Sequence, residues 1–192
     1  MGIKGLLQVL KGITQKQNIS EWKGKRIAID GSCWLHKAAY SCAQELVLGI
    51  PTTKYLSFIS HRIGLLKHHQ IQITVVFDGA PLPMKGLTND ERRHNRDHNK
   101  QMATDLLRQN RVTEAQDYFQ KSVSITSEMV QIVCEYLKQE NVQYVVAPYE
   151  ADAQLAYLMV HNFVDLVISE DSDLLVFGCE RVFYKMDKFG FG

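Results

Sequence analysis

Four short apolar runs punctuate the chain, at 26–30 (RIAID), 73–78 (ITVVFD), 143–148 (QYVVAP) and 166–169 (LVIS). They are rich in Val and Ile and almost free of alternation, the pattern of parallel strands covered on both faces. Between them, side chains of one face recur at helical spacing. One set is Ile3, Leu6, Leu7, Leu10 and Ile13; a second is Leu35, Ala38, Ala39, Cys42 and Leu46, stopped by Gly49 and Pro51. Two more are Tyr55, Phe58, Ile59, Arg62 and Leu66, and Met129, Val130, Val133, Tyr136 and Leu137. Strands alternating with helices predict an α/β fold on a mainly parallel sheet.

The stretch from about 81 to 124 breaks that alternation and reads as an insertion between two strands. Its central segment, TNDERRHNRDHNKQ at 88–101, has no member of the hydrophobic set. Thr88 and Glu91 have capping-box spacing, which predicts a helix start there. A helix without an apolar stripe has little to bury. It reads either as a protruding helix, one ordered by a ligand, or as an ordinary solvated surface helix.

Composition narrows the class. The 192 residues are 45% hydrophobic and 22% charged, which suits a soluble globular chain and excludes a disordered tail. No run of apolar residues is long enough to span a membrane, and the N-terminus lacks the charged and small-residue features of a secretory signal. Leu6 argues against myristoylation. The cysteines Cys33, Cys42, Cys134 and Cys179 lie far apart and read as reduced packing residues. Net charge is only +1, but it is unevenly spread. Arg92, Arg93, Arg96 and Lys100 crowd the insertion, whereas acids gather at the ends of the apolar runs.

Each run leads to a carboxylate: Asp30, Asp78, then Glu150 and Asp152, then Asp171 and Asp173. In an open α/β sheet the ends of the strands share one edge, where ligands bind. Each acid alone could be a turn former or helix cap. Together they would repel one another unless a cation joined them. An all-oxygen donor set suits Mg²⁺ better than zinc. Glu170 reads as solvated, His68 and His69 as a helix end, and Trp34 as core.

Four motifs carry a resemblance: MGIKGLL at the N-terminus, VVFDG at 75–79, APYEADAQLAYL at 147–158 and SEDSDLLVFGC at 169–179. In them the chain resembles the 5′-nuclease superfamily of flap endonucleases and xeroderma group G nucleases. Cys33-Trp34-Leu35-His36-Lys37, where flap endonucleases place Tyr at the His36 position, resembles the superfamily's exonuclease branch. So do Tyr149 before Glu150 and the KMDKFG run at 185–190.

The resemblance implies a PIN-like 5′-nuclease fold, a mainly parallel twisted sheet flanked by helices with a helical arch insertion. It implies hydrolysis with two Mg²⁺ ions, Mn²⁺ being able to substitute. It also implies 5′→3′ degradation of double-stranded DNA with 5′-flap cleavage, in nuclear DNA repair and recombination. DNA bearing 5′ ends, nicks, gaps or flaps would be the partner, with mismatch-repair proteins alongside and no membrane. By the same resemblance Asp30, Asp78, Glu150, Asp152, Asp171 and Asp173 are metal ligands. Lys85 and Arg92 steer the scissile phosphate from off the carboxylate edge. Gly2, His36, Arg93 and Arg96 meet DNA.

The resemblance also sets a domain expectation. Residues 1–192 form one N-terminal nuclease domain, with an N-region at 1–99, the start of an internal region at about 138–192 and the arch at about 81–124. A further ligating Asp and a helix–two-turn–helix duplex grip would follow beyond Gly192. A chain without them is expected to bind DNA weakly and with steep salt dependence. Two other readings stay open: a DNA-binding fragment with little or no turnover, and a PIN-type ribonuclease.

Overall fold

The computed structural model describes Ile3 and residues 5–192. Its centre is a five-stranded, wholly parallel sheet in the order β3-β2-β1-β4-β5. Short helix α1 (Leu6–Val9) precedes β1 (Arg26–Asp30), followed by α2 (Gly31–Ala39), α3 (Ala43–Leu48) and α4 (Tyr55–His68). Then come β2 (Gln72–Phe77), α5 (Gly86–Arg108), α6 (Val112–Ser122), α7 (Ser127–Gln139) and β3 (Gln143–Val146). Helix α8 (Ala151–Val160), β4 (Leu166–Ser169), α9 (Asp173–Val176) and β5 (Val182–Tyr184) complete the order.

The pleat divides the sheet's side chains between two apolar layers. Ile27, Ile29, Val75, Phe77, Ile168 and Phe183 face the larger one, with Trp34 and Leu35 of α2, Ile59 and Ile63 of α4 and Val133 and Leu137 of α7. Ala28, Val76 and Val167 face the smaller, with Ala151, Leu155 and Met159 of α8 and Leu174 of α9. The strands β1 and β4 are buried almost throughout, as continuous apolar runs should be.

Several expectations need correction. The run 143–148 is not covered on both faces: β3 is an edge strand, and Tyr144 and Val146 are exposed. The periodicity from Leu35 to Leu46 is two helices joined by a 3₁₀ turn at Tyr40–Cys42, the second ending at Gly49 in the left-handed conformation its glycine permits. Strand β5 adds a fifth strand that, at three residues, is too short to show a period in the sequence.

The capping-box reading of Thr88 also fails. Helix α5 already runs from Gly86, continuing a 3₁₀ turn at Pro83–Lys85, and no side-chain cap bond is made. Proline's fixed φ sets the turn before Thr88 is reached. The rest of the insertion is a hairpin. Ala103 and Leu106 of α5 are buried with Ala115 and Phe119 of α6, while residues 88–101 are mostly exposed. The segment is a helix with an exposed surface, as both readings of it require.

Candidate active site

Strands β2 and β3 lie to one side of β1, β4 and β5 to the other. The order therefore reverses between β1 and β4, and the crevice at their C-terminal ends is the expected ligand site of such a sheet. Asp30 ends β1 there and is buried, 3% exposed. Its Oδ1 accepts the Cys33 backbone N–H at 2.9 Å, capping α2. Its Oδ2 accepts the Ser169 hydroxyl at 2.8 Å, across to β4. Ser169 Oγ in turn accepts the Asp171 N–H at 3.0 Å, and Asp171 Oδ1 accepts the Asp173 N–H at 3.0 Å. One hydroxyl thus fastens the β1 acid to the loop carrying two more.

The other acids come from the opposite side. Asp78 stands one residue past β2, and its N–H donates to Ser32 Oγ at 2.9 Å. Its Oδ1 accepts the Ala151 N–H at 2.8 Å. Glu150 occupies the cap position of α8, and Asp152 lies in that helix's first turn. The loops meet by main-chain bonds, Gly79 N–H to Tyr149 O at 2.6 Å and Ala80 N–H to Pro148 O at 3.0 Å. A Cβ at Gly79 would stand 1.8 Å from the Ala147 carbonyl oxygen, so the crossing requires glycine.

Electrostatics register the convergence. Burial raises the Asp30 carboxyl above its usual range, with Asp78 adding to the rise. Burial, then the charges of Asp30, Asp171, Asp78 and Glu150, push the Asp152 carboxyl up to about 7. Asp173 Oδ1 is buried without a hydrogen-bond partner. Among the described residues no three carboxylate, imidazole or thiol groups form a ready-made ion cage; the acids are tied instead to backbone amides, Ser169 and Lys85. The donor set is oxygen throughout and one buried oxygen lacks a donor. Both facts fit a hard divalent cation.

Lys85 was expected off this edge. It lies on it, its ammonium ion-paired with Glu150 Oε1 at 2.5 Å. Arg92 is exposed on α5 and has no ion pair among the described residues. Arg93 pairs with Asp90 of its own helix at 2.9 Å, both well exposed. His36 packs edge-on against Tyr40, with ring centroids 5.1 Å apart; burial, then the nearby Arg96 charge, lower its pKa. Gly2 lies outside the described residues, although the Ile3 N–H donates to Ser172 Oγ at 2.9 Å, bringing the N-terminal segment to the acidic loop. Glu170 is not simply solvated: it pairs with Lys37 at 2.7 Å. The four cysteines are free and buried.

Ser169, Ser32 and Gly79 also build the site. Ser169 and Gly79 stand inside the quoted motifs, but a hydroxyl or a missing side chain gives no charge pattern to follow.

A parallel sheet with an acidic switch point and a helical hairpin inserted between β2 and β3 matches a 5′-nuclease fold. The solved structure of the catalytic core of Rad2 in complex with DNA substrate superimposes with a TM-score of 0.71 at 22% identity, over 96% of this chain and 49% of that one. The Holliday junction-resolving enzyme GEN1, solved with product DNA and Mg²⁺, gives a TM-score of 0.62 at 19% identity, over 97% and 36%. The XPG N-terminal domain matches residues 1–99 and the XPG I-region residues 141–191; the chain belongs to the XPG family. It is 46% identical over 192 residues to Exonuclease 1 of Xenopus laevis, covering 100% of this chain and 26% of that protein. With Exodeoxyribonuclease 1 of Saccharomyces cerevisiae (strain ATCC 204508 / S288c) the identity is 47% over 190 residues, 99% of this chain and 27% of the relative. The chain thus spans about a quarter of the length of the curated relatives it matches.

Proposed function

We propose that this chain carries the catalytic edge of a Mg²⁺-dependent, structure-specific DNA nuclease, degrading double-stranded DNA 5′→3′ and cutting 5′ flaps in nuclear repair and recombination. The observation that supports the reading is that Asp30, Asp78, Glu150 and Asp171 act electrostatically on Asp152 around one switch point, with Asp173 bonded through its N–H to Asp171. The names of the relatives support exonuclease action and a DNA substrate, and the Mg²⁺ in the GEN1 complex supports the cation.

On this reading Asp30, Asp78, Glu150, Asp152, Asp171 and Asp173 would hold two Mg²⁺ ions, with Mn²⁺ as a substitute. When bound, such ions lower the pKa of a water and neutralise charge on the phosphodiester. The chain's own groups do the rest. Lys85, released from Glu150, and Arg92 offset charge growing on the phosphate oxygens in the transition state. Arg93, Arg96 and Lys100 line the exposed stretch of α5 and hold backbone phosphates. His36 on α2 stacks near the terminal nucleotide.

The test is a digestion time course on 5′-recessed, flap and single-stranded DNA, with Mg²⁺ and with EDTA, beside RNA versions of each. Mg²⁺-dependent loss of 5′ nucleotides from duplex DNA is the expected result. Binding without cutting would favour a fragment that only grips DNA, and equal cleavage of RNA would favour a ribonuclease.

A further inference from the structure

Tyr184 has no place in the mechanism above, yet it stands beside the acids. Ser169 is opposite Tyr184 in the β4–β5 register, and the β1–β4 register, with Ile29 opposite Ile168, puts Asp30 next to Ser169. Side chains alternate along strands. Asp30, Ser169 and Tyr184 therefore share one face in one row, the face on which Ala28, Val167 and Val182 meet α8 and α9. Ser169 already bonds Asp30 and Asp171; Tyr184 is the next position along.

The Tyr184 hydroxyl is buried and has no hydrogen-bond partner, and Asp173 Oδ1 is buried and has none either. One is a donor lacking an acceptor and the other an acceptor lacking a donor, in the same small region. Burial, then Cys179, Asp171 and Asp173, push the tyrosine pKa upward, which places those carboxylates within its field. Buried polar groups left unpaired are rare and costly.

We propose that Tyr184 is a positioning residue for Asp173, its hydroxyl donating to Asp173 Oδ1 after a small rotation of the carboxylate or through one water. The inference rests on the reading of Asp173 as a cation ligand. Groups that hydrogen-bond a ligating carboxylate fix its orientation, and their loss commonly weakens metal binding by about 10–100-fold.

The experiment is a Mg²⁺ titration of the 192-residue chain, followed by calorimetry and by melting temperature, on wild type, Tyr184→Phe, Asp173→Asn and the double variant. Tyr184→Phe keeps the ring and removes the unpaired hydroxyl. Its metal-free melting temperature should hold or rise, while its Mg²⁺ dissociation constant rises about 10-fold. Asp173→Asn should weaken binding more, and the double variant no further than Asp173→Asn alone. A wild-type dissociation constant in Tyr184→Phe overturns the proposal. So does an additive double variant, which would route the effect away from Asp173, or a lowered metal-free melting temperature, which would make the hydroxyl a packing group. Wild-type binding in Asp173→Asn defeats the ligand reading beneath it.

Discussion

Asp78 caps a helix that lies in another part of the sequence: its Oδ1 accepts the Ala151 backbone N–H at 2.8 Å, while Glu150, at the cap position itself, makes no cap bond. The acid past β2 therefore anchors the start of α8 and with it Asp152. Asp78→Ala should cost about 1 kcal/mol of metal-free stability, the usual loss for a helix cap, partly offset by relief of repulsion. Asp78→Asn keeps an acceptor and should lose little stability but most Mg²⁺-dependent cleavage. Equal melting temperatures for wild type and Asp78→Ala would show that the cap bond carries no weight.

The Asp152 carboxyl gives the metal-free protein a pH dependence. An acid raised to about 7 in the fold and ordinary, near 3.9, in the unfolded chain favours folding in its protonated form. The stability it supports is complete below about pH 4, falls as pH rises through 7, and is level above. Metal-free melting temperatures should decline from pH 5 to pH 8. Asp152→Asn should flatten that decline, and Mg²⁺ should shrink it. A profile unchanged by the substitution would refute the assignment.

Lys85 and Arg92 should separate in a Mg²⁺ titration of single-turnover cleavage. If both act on the transition state, each alanine variant lowers the plateau rate by about 10²–10³-fold, as does loss of one oxyanion donor. Lys85 is paired with Glu150, so its removal should also shift the Mg²⁺ midpoint to lower concentration. Arg92, with no such pair, should leave the midpoint in place. Unchanged plateau rates in both variants would reduce them to surface cations.

Helix α5 makes its own prediction. Residues 88–101 are mostly exposed, and the hairpin's apolar contacts come from Ala103, Leu106, Ala115 and Phe119 beyond them. Amide exchange across 88–101 should be faster than at 103–108 and should slow when duplex DNA is added. Equal protection with and without DNA would mean a rigid surface helix.

Much of this was legible in the residues. Continuous Val- and Ile-rich runs announce β1, β2 and β4, and acids just past them announce the edge. What escaped has physical reasons. Burial of β3 depends on strand order, which periodicity does not encode, so an exposed edge strand looks like a central one. The Lys85–Glu150 pair joins residues 65 positions apart, and no local pattern reports it. Pro83 outweighed the Thr88 capping signal because the backbone was already helical. Ser169 works through a hydroxyl that, in the sequence, is one serine among many.

The Ser169 bridge has a kinetic consequence. Its hydroxyl bonds Asp30 of β1 from Ser169 of β4, 139 residues away along the chain, so closing that loop needs β1 and β4 already side by side. The acidic edge is thus a product of global assembly, and a locally opened chain does not present it. Any cation that binds there draws on the free energy of the whole sheet, delaying complete unfolding rather than stiffening one loop.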